Sequence, residues 1–591
     1  MKKNNLLCNI SFTFRKLVVI DRFYLLKVFI NIVITIFLTL LEGFALFFIV
    51  VIYDFKMNRL FFYLLFYFLL IVILWLINLI MSMKINISIK KIRLRYFYKN
   101  LNEAMLSMDY EKIEDVNMRL MVNNAEMCYS SENIGIENFL NSINSFILNL
   151  VKLLVISFLF FYLDIFLVIL IFFMSFLNFL FSNMARKHLY KNRETINKIN
   201  NSYCYNNEYI ADLKNINDVK IYKLKDFFVN RVAHLITKRI VLFKRQEFYY
   251  SLPAFSDNLL MLIRDFIIYI LIFIKYSNSA MAYSILTLYI SVAIICTTSI
   301  NGVIQGLISM LSANDNIQDY RNVLNYCNIN IPMNKAIKRN IGVIETIEFR
   351  NVSYIKNNKY ILNNVSFKLE RGKKYALIGL NGAGKSTIIK LISGLYTPTS
   401  GMVLINNTKI QDLNLNDINS KSSILFQDTD LFPISIRDNI ILNNVYNEEI
   451  FKKSLEISGV KEDLKNNYYN LNDIYTQLFS EKGIGLSRGQ KQKILLARVL
   501  YKKSDIVLLD EPTSSLDVEA EKKLYSNYNR FLNGNITVFV SHKAISTEFC
   551  DYIIVLSNGK IQEIGTHQTL MEHQGFYYEF YNFYKNRMKE D

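Results

Sequence analysis

Six cysteines (Cys8, Cys128, Cys204, Cys296, Cys327 and Cys550) are scattered over 591 residues, and no two form a C-x-x-C pair. That spacing provides neither a zinc site nor a disulfide framework, and it fits a reducing cytosolic face. Acidic residues are few beside basic ones, 50 against 68, which leaves a net charge of +18. Such an excess can serve nucleic acid. Here, however, Lys and Arg collect at the ends of apolar runs, where a membrane protein keeps its cytoplasmic charge. Nucleic acid is therefore not the expected partner. Residues 1–22 carry Lys2, Lys3, Arg15, Lys16 and Arg22 but no apolar core for a cleavable signal.

The 52 % of hydrophobic residues hides two unlike halves: long apolar runs before about residue 312, and short α/β patterning after about residue 343. The boundaries expected are a transmembrane domain over 1–312, a linker over 313–342 and a nucleotide-binding domain over 343–591. Val28–Tyr53 and Leu60–Met83 are each long enough to cross about 30 Å of hydrocarbon. Phe146–Phe181 is too long for one crossing and suits two, with Asp164 at the turn. Leu259–Ile274 and Ile285–Ile300 complete a set of six. Polar arms from Lys84 to Ser145 and from Ser182 to Asp257 separate the pairs, and their basic residues put both arms, the N-terminus and the second half on the cytoplasmic side. The expected location is the cell membrane, crossed several times.

Charges inside or beside these runs (Glu42, Lys152, Arg264 and Asp265) are costly in hydrocarbon and call for a cavity or a partner. Glu42 sits deepest. Either it lines a cavity, or its carboxylate pairs with a neighbouring helix or is protonated.

In the second half, the apolar run Tyr375–Ile378 leads into GLNGAGKST, Gly379 to Thr387, and then into IIKLISG. Strand, glycine loop and helix in that order are what G-x-x-x-x-G-K-[ST] requires before it means phosphate binding. Gly379, Gly382 and Gly384 permit the turn, and Asn381 and Thr387 lie within it. Lys385 reaches the β- and γ-phosphates, and Ser386 ligates Mg²⁺. Further along come Gln427 after SILF, LSRGQ (Leu486–Gln490) before an amphipathic run, IVLLDEP with Asp510 and Glu511, SSLD ending at Asp517, and Ser541 with His542 after TVFV.

Taken together, this ordered set resembles the ATP-binding cassette of the ABC transporter superfamily, and the six spans before it resemble a half-transporter of the type IV exporter kind. The fold implied is a six-helix all-α transmembrane domain followed by an α/β P-loop domain with an antiparallel β subdomain and a helical subdomain. The resemblance implies ATP and Mg²⁺ as ligands. It gives Ser386, Gln427 and Asp510 to the metal and Glu511 to the attacking water as general base. His542 is assigned to the γ-phosphate. Ser487, Gly489, Gln490 and Asp517 join the nucleotide contacts across a dimer of two half-transporters. Because one chain has one P-loop and one LSRGQ, a second copy is the expected partner, with a heterodimer as the alternative. Coupling helices are expected around 115–128 and 209–222. The function implied is ATP-driven export of a substrate that the sequence does not identify (peptide, lipid or amphipathic compound). The alternatives are an ATP-gated channel or regulatory subunit, and a soluble ATPase acting on nucleic acid. With only 27 residues before the first span, no leader-cleaving peptidase domain is expected.

Two residues depart from the family's pattern. Arg488 stands where the signature usually has glycine. Lys356 stands where an aromatic usually stacks on adenine, so Tyr354 or Tyr360 takes that place or the stack is absent.

Overall fold

The computed structural model describes residues 6–54, 60–131, 134–157, 165–211, 213–278, 283–330, 340–466, 468–476, 483–512, 534–541 and 545–590. They fall into two units, Met1–Met108 with Ile113–Ile331, and Asp109–Lys112 with Pro332–Asp591.

The first unit is helical. Its chain order is α1 (Leu6–Ile20), α2 (Tyr24–Gly43), α3 (Ala45–Asp54), α4 (Leu60–Ile92), α5 (Lys99–Leu106), α6 (Tyr110–Glu114, whose first three residues belong to the second unit), α7 (Val116–Glu126), α8 (Ile136–Ser157), α9 (Ile165–Ala211), α10 (Leu213–Ile221), α11 (Lys225–Asn278) and α12 (Tyr283–Asn330). Among the described residues, four stretches are long and apolar enough to cross a membrane: Tyr24–Gly43, Phe61–Leu106, Ile136–Ile156 and Ile290–Cys327. The run expected as one span over Val28–Tyr53 is two helices that meet at Phe44. The break follows Gly43, a residue that weakens helix propagation. The apolar run 146–181 belongs to two helices, α8 and α9; Asp164, expected at the turn, lies outside the described residues.

Small residues allow α8 and α12 to pack closely. A Cβ on Gly302 would lie 2.3 Å from the Asn149 amide, and one on Gly306 would lie 3.1 Å from the backbone of Phe146. Close backbone approach at glycine replaces the hydrophobic driving force that lipid does not supply. The stretch expected as a linker over 313–342 begins as helix, which runs through Asn330. Its polar composition conceals a buried stripe of Ile317, Tyr320, Val323 and Cys327 at helical spacing.

Glu42 is exposed near the end of α2. It interacts electrostatically with Lys152 of α8 and with Tyr67 of α4. The Tyr67 hydroxyl donates to the Leu41 carbonyl beside it. Lys152 is thus an opposite charge near Glu42 on another helix.

The second unit contains two sheets. β1 (Thr346–Lys356), β2 (Lys359–Glu370), β4 (Ser400–Ile405) and β5 (Thr408–Lys409) form an antiparallel sheet in the order β2-β1-β4-β5. The other sheet comprises β3 (Lys374–Gly379), β6 (Ser422–Leu425), β7 (Ile506–Asp510), β8 (Ile536–Val540), β9 (Tyr552–Ser557) and β10 (Lys560–Gly565). Its order is β10-β9-β3-β8-β7-β6, parallel except for the edge strand β10. Its central strands read as unbroken apolar runs because both faces are covered. Leu377, Leu508 and Val538 join one core with the antiparallel sheet and the helix α13 (Lys385–Ile392). Ile378, Leu509 and Phe539 join a second core. α15 (Ile436–Ile441), α16 (Glu448–Ile457), α17 (Val460–Lys465) and α18 (Arg488–Tyr501) contribute to it, as do Leu570, Tyr577 and Tyr581 near the C-terminus; α14 (Leu415–Ser420) precedes these helices in the chain. The four residues of the first arm that belong to this unit are 109–112, where the Thr397 hydroxyl donates to Glu111 at 3.1 Å. They precede the 115–128 stretch expected to carry a coupling helix. α7 and α10, within or beside the two expected stretches, belong to the first unit.

Candidate active site

The site lies at the carboxyl ends of the parallel strands, where open α/β sheets bind ligands. β3 ends at Gly379, and the loop turns into α13 through Gly382 (φ 80°) and Gly384 (φ 104°). Gly384 is held tightly: a Cβ there would lie 2.6 Å from Leu362 Cδ2 and 2.9 Å from the Ile361 carbonyl. Gly384→Ala should therefore deform the loop and lower ATP affinity at least tenfold, by an order-of-magnitude estimate for one strained backbone site. Equilibrium binding of a fluorescent ATP analogue measures this, and unchanged affinity would contradict it.

Lys385, at the start of α13, is buried, and its Nζ donates to the carbonyls of Gly379 and Leu380 at 2.8 and 3.0 Å. Burial pushes its ammonium below the usual lysine range, while the Glu511 and Asp510 carboxylates pull the other way. Next in the helix, the Ser386 hydroxyl donates to Asp510 at 3.0 Å. Burial raises the Asp510 carboxyl above the usual range, against the opposing Ser386 hydrogen bond.

Glu511 follows the end of β7 in a left-handed conformation, φ 49°. A non-glycine residue there is sparsely populated and is kept by its surroundings. Its N–H donates to Val540 O at 3.0 Å, its carbonyl accepts from Gln492 Nε2 at 3.0 Å, and its carboxylate accepts from Gln427 Nε2 at 3.0 Å. The Gln492 contact is absent from the motif set; its place two residues beyond the signature was the only signal.

A cleft of about 430 Å³ brings together Asn381, Gly382, Gly384, Lys385, Ser386, Thr387, Gln427, Asp510 and Glu511, with Ile361 as an added wall. Gly379 does not line it; this residue sets the turn and receives Lys385. Ser487, Gly489 and Gln490 do not line it either. They begin α18, where Ser487 Oγ accepts from Gln490 N–H at 3.2 Å and Gln490 Oε1 accepts from Ser487 N–H at 2.9 Å, a reciprocal cap. Arg488 beside them is exposed. Asp517 and His542 lie outside the described residues.

The two adenine-stacking candidates differ in exposure. Tyr354 is buried and stacked on Tyr396, with ring centroids 4.9 Å apart. Lys356 Nζ bonds the Tyr396 hydroxyl at 3.2 Å. Tyr360, next to the cleft residue Ile361, is 62 % exposed.

Residues 362–514 match the family described as ABC transporter. The chain is 35% identical over 243 residues to the nisin transport ATP-binding protein NisT of Lactococcus lactis, an alignment covering 40% of each chain. It is 32% identical over 249 residues to an ATP-dependent lipid A-core flippase of Syntrophus aciditrophicus, covering 42% of this chain and 40% of that one. The matches thus span about two-fifths of these relatives' own length. Among solved structures, a bacterial Atm1-family ABC exporter with ATP bound superimposes with a TM-score of 0.76 at 18% identity, covering 95% of this chain and 98% of that one. Residues 362–514 are thus an ABC transporter cassette, and the chain as a whole shares its fold with that exporter, with long apolar helices preceding the cassette.

Proposed function

We propose that this chain is one half of an ATP-driven exporter in the cell membrane. A dimer would sandwich ATP between two cassettes and couple its hydrolysis to moving a substrate. The observation that carries the reading is the single cleft in which Lys385, Ser386, Asp510, Gln427 and Glu511 converge. Hard oxygen donors from Ser386 and Asp510, already 3.0 Å apart, suit Mg²⁺, which takes its remaining ligands from water and phosphate. When bound, the metal neutralises charge that develops on the transferring phosphoryl group.

The protein's own groups divide the work. Lys385 exchanges its loop carbonyls for phosphate oxygens. Glu511 accepts the proton of the attacking water, oriented through Gln427 and with Gln492 fixing its backbone. His542 and Asp517 complete the set by resemblance. Ser487, Gly489 and Gln490 stand outside the cleft, which supports their serving the nucleotide of a second copy. The reciprocal cap at Ser487 and Gln490 would open to give its hydroxyl and N–H groups to phosphate. The domain limits proposed are 1–312, 313–342 and 343–591, with helical structure continuing into the middle segment as far as Asn330.

The test is ATP hydrolysis by the purified chain in liposomes across a panel of peptides, lipids and amphipathic compounds. Turnover stimulated by one class supports transport. No turnover in any lipid would remove the proposal. Tyr360 is the available partner for adenine, because Tyr354 is committed to Tyr396. Tyr360→Ala is expected to weaken ATP binding about two- to tenfold, the worth of one aromatic stack, whereas unchanged affinity would leave adenine unstacked.

A further inference from the structure

β8 and β9 are both parallel neighbours of β3, so the chain between them returns from the carboxyl end of the sheet to its amino end. The ATP cleft lies at the first of these ends. There Ser541 leaves β8, buried, and the carbonyl of Val540 before it accepts the Glu511 N–H. At the other end Asp551 is bonded both ways to Lys374, at the start of β3. Its N–H donates to the Lys374 carbonyl and its carboxylate accepts from the Lys374 N–H, each at 2.8 Å. His542, outside the described residues, follows Ser541 directly in the sequence. Its reach to a γ-phosphate depends on how this connection is held.

Between the two ends is a helix of four residues, α19 (Ile545–Glu548). So short a helix does not hold itself, because nucleation fixes several residues for one hydrogen bond. It needs partners from elsewhere, and they come from the last helix, α21 (Phe576–Glu590). The hydroxyl of Thr547, a fully buried residue, lies 2.9 Å from the Tyr577 hydroxyl. The Tyr581 hydroxyl donates to Glu548. The two tyrosines are four residues apart and so share one face of α21.

α21 is itself fixed at its start. Glu563 of β10 accepts from the N–H groups of Phe576 and Tyr577 at 2.7 and 3.1 Å, an anion at the positive end of a helix. His567, which opens α20 (His567–Glu572), places Nδ1 2.6 Å from the Tyr577 hydroxyl and its ring 4.9 Å from that of Tyr581. Both tyrosines are buried in the second core. One side of this clamp is therefore built onto the edge strand of the sheet. The other side grips a helix that begins three residues after His542. Three residues span at most about 10 Å, so a shift of α19 is passed on to His542.

We infer that Tyr577 is a positioning residue for ATP hydrolysis, holding through Thr547 the segment that carries His542. The Tyr581 bond to Glu548 is a second tether on the same helix. The inference rests on the assignment of His542 to the γ-phosphate made above. A tyrosine that served the core alone would need its ring there, and its hydroxyl would have no part in turnover.

Turnover at saturating ATP and ATP affinity, measured on the purified full chain, test this with substitutions that remove little more than a hydroxyl. Tyr577→Phe should lower turnover about three- to tenfold, the worth of one hydrogen bond, and leave ATP affinity within about twofold. Thr547→Val cuts the same bond from the other side, so the two together should lose no more than either alone. His542→Ala should lower turnover about 10² to 10³, as for one lost electrostatic contact in the transition state. Added to His542→Ala, Tyr577→Phe should cost nothing further in single-turnover hydrolysis, because the group it positions is gone. A full further loss in that background would mean that Tyr577 acts elsewhere and overturn the inference. Tyr577→Phe with a lower melting temperature but wild-type turnover would make the hydroxyl purely structural and overturn it too, while leaving His542 in place. Unchanged turnover in His542→Ala would instead remove the assignment of His542, and the inference with it.

Discussion

Glu511→Gln should bind ATP with near-normal affinity and hydrolyse it about 10² to 10⁴ times more slowly, the usual contribution of a general base. The substitution keeps the shape of the side chain and its hydrogen-bonding reach. It removes the charge that accepts a proton and turns one acceptor into a donor facing the Gln427 amide. The backbone at φ 49° and its two hydrogen bonds are unaffected by the change, so the loss belongs to chemistry rather than folding. ATP should then remain trapped and hold the cassettes together, because the nucleotide favours the closed state and is no longer consumed. Single-turnover hydrolysis and retention of labelled ATP on the purified variant measure both effects. Near-wild-type turnover would place the base elsewhere.

Lys385→Ala should act earlier, on both binding and turnover, with hydrolysis nearly abolished. A site that works by positioning and charge loses its fixed cation at the β- and γ-phosphates, and one such electrostatic contact is typically worth about 10² to 10³ in rate. The deletion also removes the donor to the Gly379 and Leu380 carbonyls, so the loop loses its own internal strut. Lys385→Arg separates these effects. It restores charge but is too large for a buried position, so it should rescue little. Parallel measurement of ATP affinity and turnover distinguishes the two variants, and unchanged turnover in Lys385→Ala would remove the P-loop assignment.

The parts of the site that could be read in the sequence are those whose chemistry is local. Gly382, Gly384, Lys385 and Ser386 are close in the chain because a turn and a helix start must be. Asp510 and Glu511 follow a run whose burial on both faces leaves little choice but a central strand. What the sequence concealed depends on distant residues. Gln492 supports the Glu511 carbonyl only because α18 packs into the same core as β7, and Ile361 reaches the cleft only through the β2 packing that also encloses Gly384. Tyr354 could not be separated from Tyr360 without Tyr396, 42 residues away, on which it stacks. In the membrane unit, composition located the apolar runs but not the break at Phe44, and it hid the helix through Asn330 beneath polar residues. The fold's outline follows from hydropathy, whereas its helix ends follow from packing.

The account's central claim is that two copies of this chain complete one another's ATP site. Co-expression of a Lys385→Ala chain and a Ser487→Ala chain, each with a different tag, isolates mixed pairs by tandem purification. In a head-to-tail pair, both substitutions fall in one site and the other site is intact. The account predicts mixed complexes with about half the wild-type turnover, far above either variant alone, from one competent site of two. Mixed complexes with no more turnover than the separate variants, or no mixed complexes at all, would contradict it.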